Sequence, residues 1–258
     1  MRGLLTWVWC VGAVGAAAPL PLHRARGTRR LSQTLPDAPT PWAAGAAHFD
    51  WRDVVTLPPP HHQKHNECFA ETAADTLSVL WHRIVGTEPP AFDPDTLLAC
   101  AKDQPGKTGL PTDILGLDAV VFDAQGKCRP PKAVKKGGLR LNPHPVVLCD
   151  LAGDRRIESK LPRLLALGPV SVGIESQNPA FRRFRGKGVL SARDVRTAHG
   201  VVDHAVSLVG FGEEEGGQKY WVIKNSWGTD WGDDGYAKLA RDAKVLGSYA
   251  AVTSGVKV

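Results

Sequence analysis

The sequence has no Gly-rich phosphate loop, no His-Glu-x-x-His pair, no Cys-x-x-Cys and no internal repeat. These absences remove the motif-based cases for nucleotide binding, helix-borne zinc hydrolysis, dithiol redox chemistry and repeat architectures. Past its first 20 or so positions it has no apolar run approaching the roughly 20 residues that a helix needs to cross a bilayer. Basic residues are not concentrated: the net charge is +6, and the densest groups, 24–30 and 182–187, are separate. That pattern does not suggest nucleic acid as a partner. Five cysteines in 258 residues are too few for a disulfide-framework mini-protein, and their odd count requires each to be argued separately. With 43% apolar and 22% charged residues, the chain is neither disordered nor fibrous, and its length suits one large domain or two lobes.

The N-terminus carries Arg2, an apolar stretch over 4–18 and an Ala16-Ala17-Ala18 end, the layout of a cleaved secretory signal over residues 1–18. Cys10 would leave with it. The mature protein is then expected in an oxidising compartment of the secretory pathway, outside the cell or in a lysosome or vacuole, with no integral membrane segment. Residues 19–47 are rich in Pro, Ala and Arg without a period of 2 or 3.6, as in a short prosegment or linker, so the folded domain is placed at 48–258.

Leu77, Leu80, Trp81 and Ile84 recur at i, i+3, i+4 and i+7, predicting a buried helix that starts near Cys68. A weaker helix is expected over 112–122, and a third over 157–167, stopped by Gly168 and Pro169. The later half changes to short β-rich runs bounded by glycine, over 170–174, 205–210 and 220–223. The expectation is a helical first lobe and an antiparallel sheet or barrel in the second.

Asp203-His204-Ala205-Val206 heads one such strand, and Tyr220 to Lys224 leads into Asn225-Ser226-Trp227-Gly228. These blocks, with Phe49-Asp50-Trp51-Arg52, Leu97-Leu98-Ala99-Cys100, Gly168-Pro169-Val170 and Gly188-Val189-Leu190, resemble the papain-like cysteine peptidases from Phe49 to the C-terminus. The short Pro/Arg-rich leader, Asp50-Trp51-Arg52-Asp53-Val54 and a Gln-plus-His insertion are most similar to the cathepsin X (or Z) group. The resemblance implies an α+β papain-like two-lobed fold: a helical N-terminal lobe, an antiparallel β-barrel-like C-terminal lobe, and the cleft between them. It also implies a thiol peptidase without cofactor or metal, whose partners are peptide or protein substrates and a protein inhibitor.

A thiol of pKa about 8.5 is largely unreactive near neutrality, but it ionises at a helix N-terminus beside an imidazole. By the resemblance, Cys68 is the nucleophile, His204 the base and later the acid, and Asn225 the carboxamide that orients the ring. Trp227 shields that contact, and Gln63 joins the nucleophile's N–H in an oxyanion hole.

The nucleophile block departs from the family's Cys-Gly-Ser-Cys-Trp-Ala. Here Glu67-Cys68-Phe69-Ala70-Glu71-Thr72 offers one cysteine for two. Either Cys68 is the nucleophile and Cys100 lacks its usual partner, or Cys68 bonds Cys100, Glu71 takes the catalytic place, and the module is a silent peptide- or protein-binding pseudopeptidase. Cys128 and Cys149 form a further candidate pair.

His65 in the loop with His61 and His62 would bind a substrate's terminal carboxylate if the enzyme is a carboxypeptidase; an exposed polar loop is the plainer reading, and no fourth zinc ligand is evident. Gly109 and Leu110 stand where a paired glycine would hydrogen-bond an extended substrate, with Leu110 filling space that the second glycine leaves open.

Overall fold

The computed structural model describes residues 29–30, 46–64, 67–101, 111–117, 120–142, 146–149, 158–198, 200–241, 243–247 and 249–258. The expected signal segment, 1–18, and nearly all of 19–47 lie outside them. None of the described helices is long and apolar enough to cross a membrane.

The architecture is organised by one helix, α1 (Cys68–Val85), which carries two unlike faces. Ala70, Ala73, Ala74, Leu77, Leu80 and Trp81 bury against Phe92, Leu97, Ile114, Leu115, Phe122 and Leu139, forming the core of the first lobe. Each such leucine contributes about 1.5–3 kcal/mol by leaving water. The opposite face is polar: Thr72, Asp75 and Thr76 are all at most 2% exposed. Gly86 ends the helix in the left-handed region (φ 81°), where its N–H reaches Trp81 O. The first lobe continues with α2 (Pro94–Ala101), which starts on a proline whose missing N–H costs nothing there, and the short α3 (Thr112–Leu115).

The helix expected over 112–122 therefore stops after one turn. Val121–Phe122 instead forms a strand, pairing antiparallel with Cys128–Arg129. The reason is the turn between them: Asp123 Oδ1 accepts from the N–H groups of Gln125 and Lys127, and Gly126 has φ 72°. That Asx-type turn closes a hairpin, which takes precedence over weak helical periodicity. The third expected helix is likewise shorter, α4 (Leu161–Leu165), with Pro162 in its first turn.

Among the described residues thirteen strands are numbered in chain order: β1 (Arg29–Arg30), β2 (Phe49–Asp50), β3 (Val121–Phe122), β4 (Cys128–Arg129), β5 (Leu139–Leu141), β6 (Val146–Cys149), β7 (Val170–Ile174), β8 (Val189–Leu190), β9 (His204–Glu213), β10 (Lys219–Lys224), β11 (Tyr236–Ala240), β12 (Tyr249–Val252) and β13 (Gly255–Lys257). A nine-stranded sheet runs β1-β6-β12-β7-β9-β10-β11-β8, with β2 added alongside β9. Of the two expected forms, sheet or barrel, it is the open sheet among the described residues: the path ends on two-residue parallel pairings, β1 with β6 and β8 with β11, rather than on each other. Gly210 admits β2, since a Cβ there would stand 2.4 Å from Phe49 O.

The chain ends cross between the lobes. Phe49 and Trp51 belong to the core of the large sheet, where Trp51 Nε1 donates to Leu165 O (3.0 Å). At the other end β13 pairs with β5 in a four-stranded sheet beside α1, and Lys257 Nζ donates to Val85 O (2.6 Å). Sheet and helices are thus shared between the lobes more than the order of elements in the sequence suggests.

Cys100 is bonded to Cys128, linking α2 to β4 across 28 residues. This overturns both candidate pairings, Cys68 with Cys100 and Cys128 with Cys149: Cys68 is a free thiol, and Cys100 has neither lost its partner nor taken Cys68. The Cα atoms of residues 100 and 128 lie 6.1 Å apart, within the span that a disulfide bridges. Peptide mapping of the unreduced protein is expected to recover Cys100 and Cys128 in one linked fragment; a linked Cys68–Cys100 fragment would refute the arrangement. The double variant Cys100→Ala/Cys128→Ala should unfold at lower denaturant, with a loss of about 2–4 kcal/mol.

Candidate active site

The candidate site forms where α1 begins against the ends of β9 and β10. Antiparallel pairing of β9 with β10 sets Ser207 opposite Lys224, which brings His204, at the head of one strand, beside Asn225, just past the end of the other. A register shift between Val222 and Ile223 adjusts this alignment. His204 Nε2 and Asn225 Oδ1 are 2.7 Å apart, and both residues are buried. With Nε2 engaged by a carbonyl oxygen, that nitrogen carries the hydrogen and Nδ1 is left as the basic position.

Trp227 stacks on the His204 ring, with centroids 4.9 Å apart and planes inclined at 23°. It is itself held edge-on by Phe181 and Trp231. The Asn-His contact is therefore covered by a fixed aromatic wall.

Cys68 is the first residue of α1, whose preceding residue, Glu67, supplies no side-chain cap. The N–H groups of Ala70 and Glu71 return to Glu67 O, which leaves those of Cys68 and Phe69 as the leading amides of the helix. Burial pushes the Cys68 thiol above its ordinary value, while the N–H groups of Ala205, Phe69 and Cys68 pull it down less strongly. Ala205 directly follows His204 on β9, so the sulfur feels the start of that strand. Burial also holds His204 below its ordinary 6.5, against the opposing pull of Asn225 and Asp203. Burial thus favours the neutral form of each group.

Gln63 reaches the site through a short antiparallel backbone match. Its N–H donates to Ser226 O (2.9 Å), and Gly228 N–H donates to His61 O (2.9 Å). Ser226 Oγ then donates to Gln63 Oε1 (2.6 Å), which fixes the carboxamide with its oxygen turned to Ser226. His62 lies over Gly228 so closely that a Cβ at 228 would stand 2.1 Å from His62 Nε2. His61 Nδ1 faces Glu71 Oε2 at 3.5 Å.

Of the residues named from sequence, His204, Asn225 and Trp227 are in mutual contact, Gln63 joins them through Ser226, and Cys68 stands at the head of α1. His65, Gly109 and Leu110 lie outside the described residues. Among the described residues no three His, Cys, Asp or Glu side chains converge as metal ligands would.

Two contributors were missed. Ser226 donates its N–H to Asn225 Oδ1 (2.8 Å) as well as its hydroxyl to Gln63, coupling two functional amides through one residue. Its position inside the Asn-Ser-Trp-Gly block was the available signal. Asp203 accepts from Ser176 N (2.8 Å) and Gln177 Nε2 (2.6 Å), which anchors the turn entering β9.

A family model described as papain family cysteine protease matches residues 45–256. Among curated proteins, cysteine proteinase 3 of Entamoeba histolytica is 38% identical over 116 residues, 42% of this chain and 37% of that protein. Cathepsin K of Gallus gallus is 42% identical over 102 residues, 39% of this chain and 29% of that protein. The chain thus spans less than two thirds of the length of the curated relatives it matches. Among solved structures, digestive procathepsin L2 from Tenebrio molitor superposes with TM-score 0.59 at 28% identity, covering 81% of this chain and 68% of that one. The bromelain protease of Ananas comosus, in complex with the E64 inhibitor, superposes with TM-score 0.58 at 22% identity, covering 81% and 99%.

Replacing Cys68 by Ala leaves the burial of His204 in place without a thiolate to offset it. In that variant the imidazole is expected to titrate below 6.5 by NMR; a midpoint at or above 6.5 would contradict the burial account. The sign for stability follows. Above 6.5 the ring is neutral whether folded or not, and below 6.5 the unfolded chain takes the proton first. Stability is therefore lost as pH falls from 6.5 toward the lower folded value. Urea midpoints of Cys68→Ala should show this loss, and Cys68→Ala/His204→Gln should lack it.

Proposed function

The chain belongs to the papain family of cysteine proteases, and on that premise we propose that it is an active cysteine-type peptidase with Cys68 as nucleophile. The observation that carries the reading is the free Cys68 thiol at the head of α1, together with a His204 whose Nε2 is taken by Asn225. His204 Nδ1 accepts the thiol proton, giving a thiolate and imidazolium. The thiolate attacks the scissile carbonyl. The resulting oxyanion is held by the Cys68 N–H and the Gln63 side chain, whose oxygen is already engaged by Ser226. His204 returns the proton to the leaving amine, and water then hydrolyses the thioester by the same route in reverse. Asn225 keeps the ring in the orientation that serves both steps, and Trp227 excludes water from their contact.

The pseudopeptidase alternative drew its support from a Cys68–Cys100 bridge, and Cys100 is engaged elsewhere. Glu71, its candidate for the catalytic place, lies one turn further along α1. The substrates are peptides or proteins. The finer likeness to cathepsin X, the secretory signal over 1–18, the prosegment over 19–47 and a lysosomal, vacuolar or extracellular location rest on sequence pattern, and the carboxypeptidase-like mode rests on His65.

An epoxide thiol probe is expected to label the protein after removal of residues 1–47, and Cys68→Ala should abolish labelling; folded protein that takes no label would sink the reading. Gln63→Ala should lower kcat by about 10²–10³-fold. A carboxypeptidase mode predicts that peptides with a free C-terminal carboxylate are cleaved much faster than their C-terminal amides, and that His65→Ala removes the difference. Equal rates on both would assign endopeptidase action instead.

A further inference from the structure

Directly behind the His204–Asn225 pair is a polar cavity lined by Glu71, Thr72, Asp75, Lys224, Asn225 and Ser226. Its volume, ≈ 10 Å³ for the centre of a water-sized sphere, is room for about one water molecule. Most polar groups around it are already engaged. Asp75 takes Lys224 Nζ and Ser207 Oγ, and Thr72 Oγ1 is bonded to Phe69 O and Ser171 Oγ. One is not: Asn225 Nδ2 is fully buried and has no hydrogen-bond partner. A buried amide N–H left in that state costs about 1–3 kcal/mol.

On the facing wall is Glu71, only 8% exposed. An apolar side chain would suit this position on α1, where burial drives a carboxyl above its ordinary range. His61 faces it from the loop, Lys224 from β10, and Asp75 from the next turn of α1. A desolvated acceptor and a desolvated donor thus share one cavity of single-water size.

We propose that Glu71 is a positioning residue: one water accepts from Asn225 Nδ2 and donates to the Glu71 carboxylate, giving the carboxamide a third anchor. The other two are on Oδ1, from Ser226 N–H and the His204 ring. Three anchors fix the rotation of the amide plane, and hence the tilt of the imidazole that must reach both sulfur and leaving amine. The inference rests on the peptidase reading for its catalytic consequence, but not for the water itself.

The test compares Glu71→Gln with Glu71→Leu in the processed protein. Gln keeps an acceptor for the water, so its kcat is expected near that of the parent. Leu removes the acceptor while filling the space; kcat should fall about 10²-fold, with KM little changed and the melting temperature not lowered. High-resolution crystal structures should show the bridging water in the parent and in Glu71→Gln, and none in Glu71→Leu. Unchanged kcat in Glu71→Leu, no water in the parent, or equal losses of activity and stability in both variants would overturn the proposal. If the parent has no peptidase activity, the reading of function fails separately. The positioning role is then decided in Cys68→Ala, where Glu71→Leu should split or broaden the His204 imidazole resonances and Glu71→Gln should not; identical resonances would refute it.

Discussion

The buried contact between Asp75 of α1 and Lys224 of β10 is the constraint on which the site's geometry depends. Asp75 is 2% and Lys224 4% exposed, and Ser207 of β9 donates to the second carboxylate oxygen. One side chain therefore locks a helix to two strands at once. Those elements carry the reacting groups: α1 begins at Cys68, β9 at His204, and β10 leads into Asn225. Pairing two desolvated charges gains little net stability, but leaving either alone generally costs about 3–5 kcal/mol. The arrangement acts as a register device, since any slide of α1 along the sheet would strand a charge. Thr72 on Ser171 Oγ and Thr76 on Pro169 O extend the same seam along the helix.

Electrostatics at the site follow from how deeply that seam is buried. A thiol and an imidazole in water would titrate independently near their ordinary values. Here burial raises one and lowers the other, so the neutral form of each is favoured. The helix N-terminus and the Ala205 N–H favour the thiolate, while Asn225 favours the imidazolium. The electrostatics of the candidate site are a property of the assembled lobe boundary rather than of any one residue.

Much of this was legible in the sequence because it is local. The period of Leu77, Leu80 and Trp81 marked α1, and the β-rich runs marked β7, β9 and β10, since side-chain spacing reports directly on which face is buried. His204, Asn225, Trp227 and Gln63 were nameable because their surrounding blocks carry the family resemblance. The helix over 112–122 was overestimated because the Asp123–Gly126 turn closes a hairpin that takes Val121 and Phe122 into a strand. The short strands allowed either an open sheet or a barrel, because strand content does not say whether the two edges of a sheet meet.

Sequence alone determined the lobes' principal elements and the pairing of a histidine strand with an asparagine loop, because periodicity and motif are properties of neighbours along the chain. Only the tertiary structure decided the cysteines. Which sulfur bonds which depends on separation in space, and folding sets Cys100 beside Cys128 while Cys68 is held at the head of α1 by the Asp75 seam. The same holds for Glu71. In sequence it marked a missing cysteine; in the fold it is a buried carboxyl sharing a cavity with the Asn225 amide, a relation that no spacing encodes because β9, β10 and α1 meet only through long-range packing.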